Sequence, residues 1–304
     1  MNSPFATIQT TPDMTLRYGF WPSETERRRG TLLLLNGRAE FMEKHLETVG
    51  ELNERGFDVY SLDWRGQGGS LRQLPDPHKG YVACYEDYLA DLSVFYRKIL
   101  HPRGHRPLFL LAHSMGGHIA LRFFRAQPDA FSKAALISPM IDIHTSPLPA
   151  SVARVITRFA IQGGFAEQVC FGAGGYSEKR VRFKNNPLTS DARRFWAAQD
   201  IMRQNPHLTV GSVTWAWLAA TFRSIDRLKR KGEAERIQTP LLMICAQKDR
   251  IVSLSAQRLI SLRLPNCRFT ILPGARHEIL CETDAIRACF WKEFDAFFGK
   301  KGLP

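Results

Sequence analysis

The sequence predicts an α/β protein in which a mostly parallel, doubly wound sheet carries an inserted helical segment. Short apolar runs typical of buried strands alternate along the chain with stretches of helical periodicity. One long interval, residues 141–236, interrupts this alternation and contains no convincing strand pattern. In an open parallel sheet, functional groups lie at the carboxyl ends of the strands. We therefore examine the residues that directly follow each predicted strand.

Six segments have the pattern of strands that are covered on both faces. Each is a short apolar run that ends in small or polar residues, as expected for a parallel sheet between two helical layers. The four clearest and two weaker ones are, respectively, TLLLLNG (31–37), FDVYSLD (57–63), PLFLLAH (107–113) and LLMICAQ (241–247), then AALISP (134–139) and RFTILP (268–273).

Four further segments have helical periodicity, and two of them stop at Gly56 and Pro128, which are typical helix terminators. Their alternation with the strands predicts an open, doubly wound sheet. The predicted helices are MEKHLETVGELNERG (42–56), EDYLADLSVFYRKIL (86–100), GGHIALRFFRAQ (116–127) and TDAIRACFWKEFDAFFG (283–299).

The interval 141–236 is too long for a structureless loop, so we predict that it forms a helical cap over the sheet edge. Two stretches inside it look helical, SVARVITRFAIQGG (151–164) and SVTWAWLAATFRSIDRLK (212–229). The predicted organisation is a core of residues 1–140 and 237–304 with residues 141–236 inserted, and these inserted residues are called the cap below.

Positive charge is concentrated in the cap. The chain has 42 Lys and Arg against 29 Asp and Glu, a net charge of +13, and the cap alone has 15 against 8. The clusters EKRVRFK (178–184) and DRLKRKGEAER (226–236) are compatible with an anionic membrane surface or a phosphorylated ligand, and equally with a solvated face. No aromatic-basic motif accompanies the charge, so nucleic acid is not a predicted partner.

The composition predicts a globular protein of the cytoplasm. A chain of 304 residues with 44% hydrophobic residues can bury a full core without disulfides or metal. No apolar stretch approaches the roughly 20 residues of a transmembrane helix, and the first residues lack a signal-peptide pattern. Six scattered cysteines without a C-x-x-C pair fit reduced thiols. We expect no metal and no cofactor, and peripheral membrane contact at most.

Ser114 lies between a predicted strand and a predicted helix, in LLAHSMGGHIALRFF (110–124). A strand-to-helix turn this tight forces the serine into an unfavourable backbone conformation and leaves room only for small residues two positions away on either side. Ala112 and Gly116 meet that steric demand, although Ala112 stands where the usual G-x-S-x-G signature has glycine. Ser114 is therefore a candidate nucleophile, and the alternative is an ordinary helix N-cap.

A serine nucleophile needs a base, and the base needs an orienting acid. Asp249 directly follows the strand LLMICAQ, and His277 lies in the loop after RFTILP. Alone, Asp249 could be a helix N-cap and His277 a surface histidine. Their occurrence after separate strands in the order serine, acid, histidine favours a catalytic triad. Asp63 comes too early for the triad acid, so we predict that it braces the glycine-rich loop after it.

Two backbone N–H groups are candidates for stabilising an oxyanion. Met115 begins the helix after Ser114, so its N–H would point towards charge that develops near the serine. Gly37 lets the chain turn close to the substrate after the first parallel strand, which makes the N–H of Arg38 the second donor. The sequence does not decide whether the Arg38 side chain approaches a phosphate or solvent.

The chain resembles the α/β-hydrolase superfamily, in particular the branch of lysophospholipase L2 and the monoacylglycerol lipases. The resemblance rests on NGRAEFMEKH (36–45), DWRGQGGS (63–70), AHSMGGHIALR (112–122), QKDRIV (247–252) and GARHEIL (274–280). Monoacylglycerol lipases usually have H-G-x-G-E-H and D-x-R-G-H-G-x-S at the first two motifs. Asn36 and Gln67 depart from those patterns, and the motifs here are more similar to lysophospholipase L2.

The resemblance implies a serine hydrolase that cleaves esters of single-acyl-chain lipids through an acyl-serine intermediate, without a cofactor. Ser114 would attack, His277 would transfer the proton, Asp249 would orient His277, and the N–H groups of Met115 and Arg38 would bind the oxyanion. A lysophospholipase is the leading hypothesis. A monoacylglycerol lipase or general carboxylesterase is the alternative, and a non-catalytic binding protein on the same fold is a distant third. The cap would line an acyl pocket, and its aromatic residues either line that pocket or form the cap's own core: Trp196, Trp215, Trp217 and Phe222.

Overall fold

The computed structural model describes residues 3–170 and 181–299, in which one sheet is covered by helices on both faces. Its eight strands lie in the order β1-β2-β4-β3-β5-β6-β7-β8. β2 is antiparallel to β1 and β4, and the six strands β3 to β8 are mutually parallel. Their bounds are β1 Phe5–Thr11, β2 Met14–Trp21, β3 Gly30–Leu35, β4 Phe57–Leu62, β5 Leu108–His113, β6 Lys133–Ile137, β7 Leu241–Ala246 and β8 Cys267–Leu272.

All six predicted strands are present, as β3 to β8. In β3, β4, β5 and β7 every residue is buried, which is why each reads as a continuous apolar run. The sequence analysis missed the hairpin of β1 and β2. Most residues of β1 are exposed or half-buried because it is an edge strand, so its sequence lacks the apolar run used to find the others.

The four predicted core helices are also present, with one subdivision. The predicted helix 86–100 is α2 followed by a π-helical turn at Tyr96–Leu100 and the short α3. The predicted helix 42–56 begins as a 3-10 turn at Met42–His45. The helices are α1 Leu46–Glu54, α2 Tyr85–Phe95, α3 His101–Arg103, α4 Met115–Ala126, α5 Ala150–Gln162, α6 Ala192–Gln204, α7 Trp215–Lys229, α8 Leu254–Ser261 and α9 Asp284–Phe298.

The sheet has a hydrophobic core on each face. Leu33 and Leu35 of β3 join one cluster with residues of α2 and α4, whereas Leu32 and Leu34 join the other with residues of α1 and α9. This alternation follows from the two-residue side-chain period of a strand. Burial of each leucine contributes about 1.5–3 kcal/mol, so both faces hold the strand ends rigidly in place.

The cap contains α5, α6 and α7, which lie between β6 and β7 in the chain. α7 packs against α5 and also joins the main core, since Trp217 and Leu228 belong to the cluster with α2 and α4. Trp217 and Phe222 are buried, whereas Trp196 is 39% exposed beside Phe195. The division into core and cap stays a prediction. Residues 178–180 of the basic cluster 178–184 lie outside the described residues.

Candidate active site

Ser114 occupies a strained turn between β5 and α4. Its φ of 51° and ψ of −113° lie in a region that costs a non-glycine residue on the order of 1–3 kcal/mol. The turn leaves no room at Gly116, where an added Cβ would lie 2.6 Å from the carbonyl oxygen of Asn36. At Gly117 it would lie 2.9 Å from Pro139. These contacts give the steric reason for small residues after the serine. Ala112, before the serine, is also small and is fully buried.

The structure brings Ser114, His277 and Asp249 into one chain of hydrogen bonds. The Oγ of Ser114 lies 3.0 Å from Nε2 of His277, and Nδ1 of His277 lies 2.7 Å from Oδ2 of Asp249. His277 and Ser114 are nearly inaccessible to solvent, with 4% and 6% of their surface exposed. Ser114, His277 and Asp249 follow β5, β8 and β7, respectively, so the sheet itself sets their spacing.

Asp249 is held in its charged form. Burial alone would raise the pKa of its carboxyl, but the hydrogen bond and charge of His277 lower it below the ordinary value. Its other oxygen accepts the backbone N–H groups of Ile251 and Val252 at 2.8 and 2.9 Å. The N-cap of α8 is Ser253, not Asp249, so the carboxylate is oriented towards the histidine.

The N–H groups of Met115 and Arg38 are available to a ligand. Met115 is the first residue of α4, where an N–H has no partner inside the helix. Within residues 3–170 and 181–299, neither N–H donates a hydrogen bond to the protein. Two donors at the ends of β3 and β5, which are neighbouring strands, suit an oxyanion site.

Gln67 and Glu40 brace the loop that carries Arg38. The Gln67 amide donates to the carbonyl oxygens of Gly37 and Glu40, at 2.7 and 3.2 Å, and accepts the N–H of Ala39 at 3.2 Å. Oε2 of Glu40 accepts the N–H of Gly37 at 2.5 Å. Ala39 has a φ of 57°, so these contacts hold a strained backbone in place.

A buried pair of charged side chains, Glu40 and His113, connects this loop to His277. Nδ1 of His113 lies 2.9 Å from Oε2 of Glu40, and Nε2 lies 3.2 Å from the carbonyl oxygen of His277. Both partners are acceptors, so both contacts are hydrogen bonds only when the imidazole is doubly protonated. Burial would lower the pKa of His113, but the charge and hydrogen bond of Glu40 raise it.

This supporting arrangement of His113 and Glu40 was not predicted from the sequence. Lys44 completes it, since its Nζ donates to Glu40 at 2.9 Å and to Glu278 at 2.6 Å. The available signal was the clustering of charged residues at strand ends next to the serine and its loop. Such residues are seldom buried unless they are paired.

Asp63 braces the loop after β4, as predicted. Its Oδ2 accepts the N–H of Gly69 at 2.8 Å, and its Oδ1 accepts the N–H of Met42 at 3.0 Å. Arg17 pairs with the same carboxylate at 2.6 Å. Asp63 therefore connects three segments below the candidate site without contacting Ser114 through any hydrogen bond in the described part of the chain.

The buried thiols near the site are poor nucleophiles. Burial raises the pKa of Cys281 to about 12 and that of Cys245 well above its ordinary value. Across the described residues, no group of three or more His, Cys, Asp or Glu side chains could hold a metal ion. None of the helices described is both long enough and apolar enough to span a bilayer.

Comparisons with known proteins show which family and which relatives the chain is similar to. Residues 26–284 match the family described as serine aminopeptidase, S33. The chain is 31% identical to lysophospholipase L2 of Escherichia coli (strain K12) over 281 residues, which are 90% of this chain and 81% of that protein. It is 23% identical to the monoacylglycerol lipase of Mycolicibacterium smegmatis over 272 residues, 88% of this chain and 87% of that one.

The fold also resembles a solved structure, a soluble variant of monoglyceride lipase from Saccharomyces cerevisiae in complex with a substrate analog. The TM-score is 0.77 at 20% identity, and the match covers 98% of this chain and 96% of the other. At this identity the likeness concerns the fold alone, and it confirms the predicted fold class.

Proposed function

The chain belongs to the serine aminopeptidase, S33 family, a relationship that confirms the resemblance of its motifs to α/β-hydrolases. From this premise we propose that it is a serine hydrolase that cleaves the carboxylic ester of single-acyl-chain lipids, and specifically a lysophospholipase. The observation that carries the proposal is the hydrogen-bonded chain from Ser114 through His277 to Asp249 on a strained turn, next to two unused N–H donors.

In the proposed mechanism, Nε2 of His277 takes the Ser114 proton as Oγ attacks the ester carbonyl. The N–H groups of Met115 and Arg38 stabilise the resulting oxyanion. The intermediate collapses to an acyl-serine, and His277 returns the proton to the departing alcohol. Water then attacks the acyl-serine while His277 takes its proton. His277 passes that proton to Oγ of Ser114, which releases the fatty acid and restores the serine. Asp249 holds His277 in the tautomer that this sequence of transfers requires.

Two substrate classes are supported to different degrees. The 31% identity to lysophospholipase L2 favours lysophospholipids, and the 23% identity to a monoacylglycerol lipase supports neutral monoacylglycerols as the second candidate. A non-catalytic binding protein is disfavoured because binding alone would not require a strained serine aligned with a histidine and a buried carboxylate.

Purified protein is assayed on lysophosphatidylglycerol, on a monoacylglycerol with the same acyl chain, and on a short p-nitrophenyl ester. We expect the highest kcat/KM on the lysophospholipid and complete loss of activity in Ser114→Ala. A preference for the neutral esters would refute the lysophospholipase proposal. Labelling by a fluorophosphonate that persists in Ser114→Ala would refute the assignment of the nucleophile, and absence of labelling in the wild type would favour a binding protein.

We also propose that the cap contacts anionic membrane surfaces through α5. The first turns of this helix expose Val152, Val155 and Phe159, at 42%, 55% and 67%. Leu148 before the helix and Phe165 after it are 44% and 55% exposed. Exposed apolar residues on one helix, in a segment with a net charge of +7, are typical of a surface that lies at a lipid interface.

Cosedimentation with anionic and neutral vesicles tests this contact. The double variant Val155→Ser/Phe159→Ser is expected to bind anionic vesicles about tenfold or more weakly, because two apolar side chains no longer enter the interface. The control Leu259→Ser/Leu262→Ser removes two leucines that are somewhat more exposed, 66% and 78%, from the region of α8. Equal loss in both variants, or none in either, would contradict the assignment.

The cytoplasmic location stays a proposal, which cell fractionation tests.

A further inference from the structure

The side chain of Arg38 extends from the loop after β3 towards the cap. Its Nη1 donates to the carbonyl oxygen of Gly211 at 2.9 Å, and its guanidinium lies 5.8 Å from the ring centre of Trp217. A Cβ on Gly80 would lie 3.5 Å from the same Nη1. The guanidinium is therefore half-buried between the loop that carries the candidate oxyanion donor and the cap segment around Gly211.

This guanidinium has no acidic partner within residues 3–170 and 181–299. Four other poorly exposed arginines do have one, since Arg17, Arg65, Arg122 and Arg194 each pair with a carboxylate at 2.6 Å. The half-buried Arg72 has none and donates only to backbone carbonyls.

The residues around Arg38 do not compensate its charge. Burial lowers the pKa of Arg38. Burial raises the pKa of its neighbours Tyr85 and Tyr88, so both are neutral at physiological pH. Arginine nevertheless stays protonated in proteins. The position therefore combines a desolvated cation with neutral neighbours. An anionic ligand group bound beside Arg38 would stabilise that cation.

The chemistry of guanidinium selects the ligand. It presents five N–H donors in a planar fork that matches the oxygens of phosphate, and Gly211 occupies one of them. In a lysophospholipid, only the glycerol backbone separates the phosphate from the ester. The backbone N–H of Arg38 is the proposed second donor to the ester carbonyl, so on that proposal its side chain starts near the ester and extends towards Gly211.

We propose that the Arg38 side chain binds the phosphate of the lysophospholipid headgroup while its backbone N–H faces the ester carbonyl. This inference rests on the proposed lysophospholipase function and specifies how the substrate class is selected. A neutral monoacylglycerol offers Arg38 only hydroxyl groups, which leave its charge uncompensated. The residue that follows Gly37 thus separates phosphorylated from neutral single-chain lipids.

The test compares two substrates with identical acyl chains, lysophosphatidylglycerol and monoacylglycerol, in four proteins. In Arg38→Met, the ratio of kcat/KM between them is expected to fall about tenfold or more, the size of a charge-assisted hydrogen bond. Arg38→Lys retains the charge without the fork and is expected to be intermediate. The control Arg72→Met removes a half-buried arginine that donates only to backbone carbonyls, of Ser70, Pro77 and His207, and is expected to keep the ratio. An unchanged ratio in Arg38→Met, including equal loss on both substrates, would overturn the inference.

A second measurement uses the wild type alone, so it does not depend on the folding of any variant. Glycerol 3-phosphate, inorganic phosphate and glycerol are tested as inhibitors of p-nitrophenyl ester hydrolysis. Glycerol 3-phosphate is expected to compete best and glycerol not at all, with a difference of about tenfold or more between their inhibition constants. Equal inhibition by glycerol 3-phosphate and glycerol would overturn phosphate binding. Equal inhibition by inorganic phosphate would identify a free-phosphate site and overturn headgroup recognition.

These two experiments separate the inference from the function on which it rests. If the wild type cleaves no lysophospholipid, the proposed substrate is wrong, whatever the inhibitors show. If it cleaves lysophospholipid with an unchanged ratio in Arg38→Met, the proposed function holds and the role of Arg38 is wrong.

Discussion

Replacement of Glu40 by glutamine tests whether the buried charges beside His277 support the candidate site. Oε2 of Glu40 accepts from Gly37 at 2.5 Å and lies 2.9 Å from Nδ1 of His113, and Oε1 accepts from Lys44 at 2.9 Å. Glutamine has nearly the same shape but no charge and only one acceptor atom. Glu40→Gln therefore leaves the packing intact and removes the anion from a site that is 3% exposed.

The expected loss of stability follows from the partners that remain. Breaking a buried ion pair by removing one partner costs about 3–5 kcal/mol. Lys44 keeps its contact with Glu278 at 2.6 Å, so we expect the lower end, about 3 kcal/mol. His113 loses the anion that holds its second proton, and one of its nitrogens then faces an acceptor without a hydrogen between them.

The loss depends on pH with a defined sign. Burial opposes the charge of Glu40, but His113, Lys44 and His45 lower its pKa well below the ordinary 4.5. Its contribution to stability is therefore present above pH 4.5 and lost as the pH falls through the lowered value. The pKa of His113 is raised from 6.5, so its contribution is present below pH 6.5 and lost as the pH rises through the raised value. Both contributions are complete only between pH 4.5 and 6.5.

Urea unfolding of wild type and Glu40→Gln at about pH 5.5 and 8.5 measures this difference. We expect the larger loss at the lower pH, together with a fall in kcat/KM because the Arg38 loop loses its brace. The control Glu293→Gln disrupts an exposed pair with Arg268 and should cost about 1 kcal/mol or less. A loss in Glu40→Gln that equals this control, or one that grows towards pH 8.5, would refute the reasoning.

Three other changes have defined outcomes. Gly116→Ala should abolish activity because its Cβ would lie 2.6 Å from the carbonyl oxygen of Asn36, whereas Gly50→Ala in open space on α1 should raise the melting temperature by stabilising the helix about 1 kcal/mol. Ala112→Val should lower stability by about 1–3 kcal/mol and activity with it, while Ala112→Gly should retain most activity in the same ester assay. Burial and the charge of Arg122 lower the pKa of His118 from 6.5 to about 3, so its contribution to stability is lost as the pH falls through this range. Urea unfolding of His118→Gln should therefore show a flatter acid limb than the wild type, and an unchanged limb would contradict the neutral histidine.

The sequence predicts the parallel strands better than the antiparallel hairpin of β1 and β2 at one side of the sheet. β3, β4, β5 and β7 are buried on both faces, so packing requires apolar residues at consecutive positions and leaves a local signature. β1 lies at the sheet edge and mixes exposed with buried residues, and this weaker pattern was not recognised. The helix α6 was missed as well, although Asp191 caps its first turn.

The candidate triad could be predicted because each member lies within a few residues of the end of a strand. Ser114 is one residue beyond β5, and Asp249 three beyond β7, so local pattern and chain order suffice to propose them. The sequence by itself determined the six parallel strands, two of the inserted helices and the chain order of the candidate triad, since these depend on short-range steric and packing requirements. Only the tertiary structure decided that Glu40 meets His113 and that Arg38 reaches Gly211, pairs separated by 73 and 173 residues. Contacts of this kind leave no periodic signal, because burial of a charge is permitted only by a partner that folding brings from elsewhere in the chain.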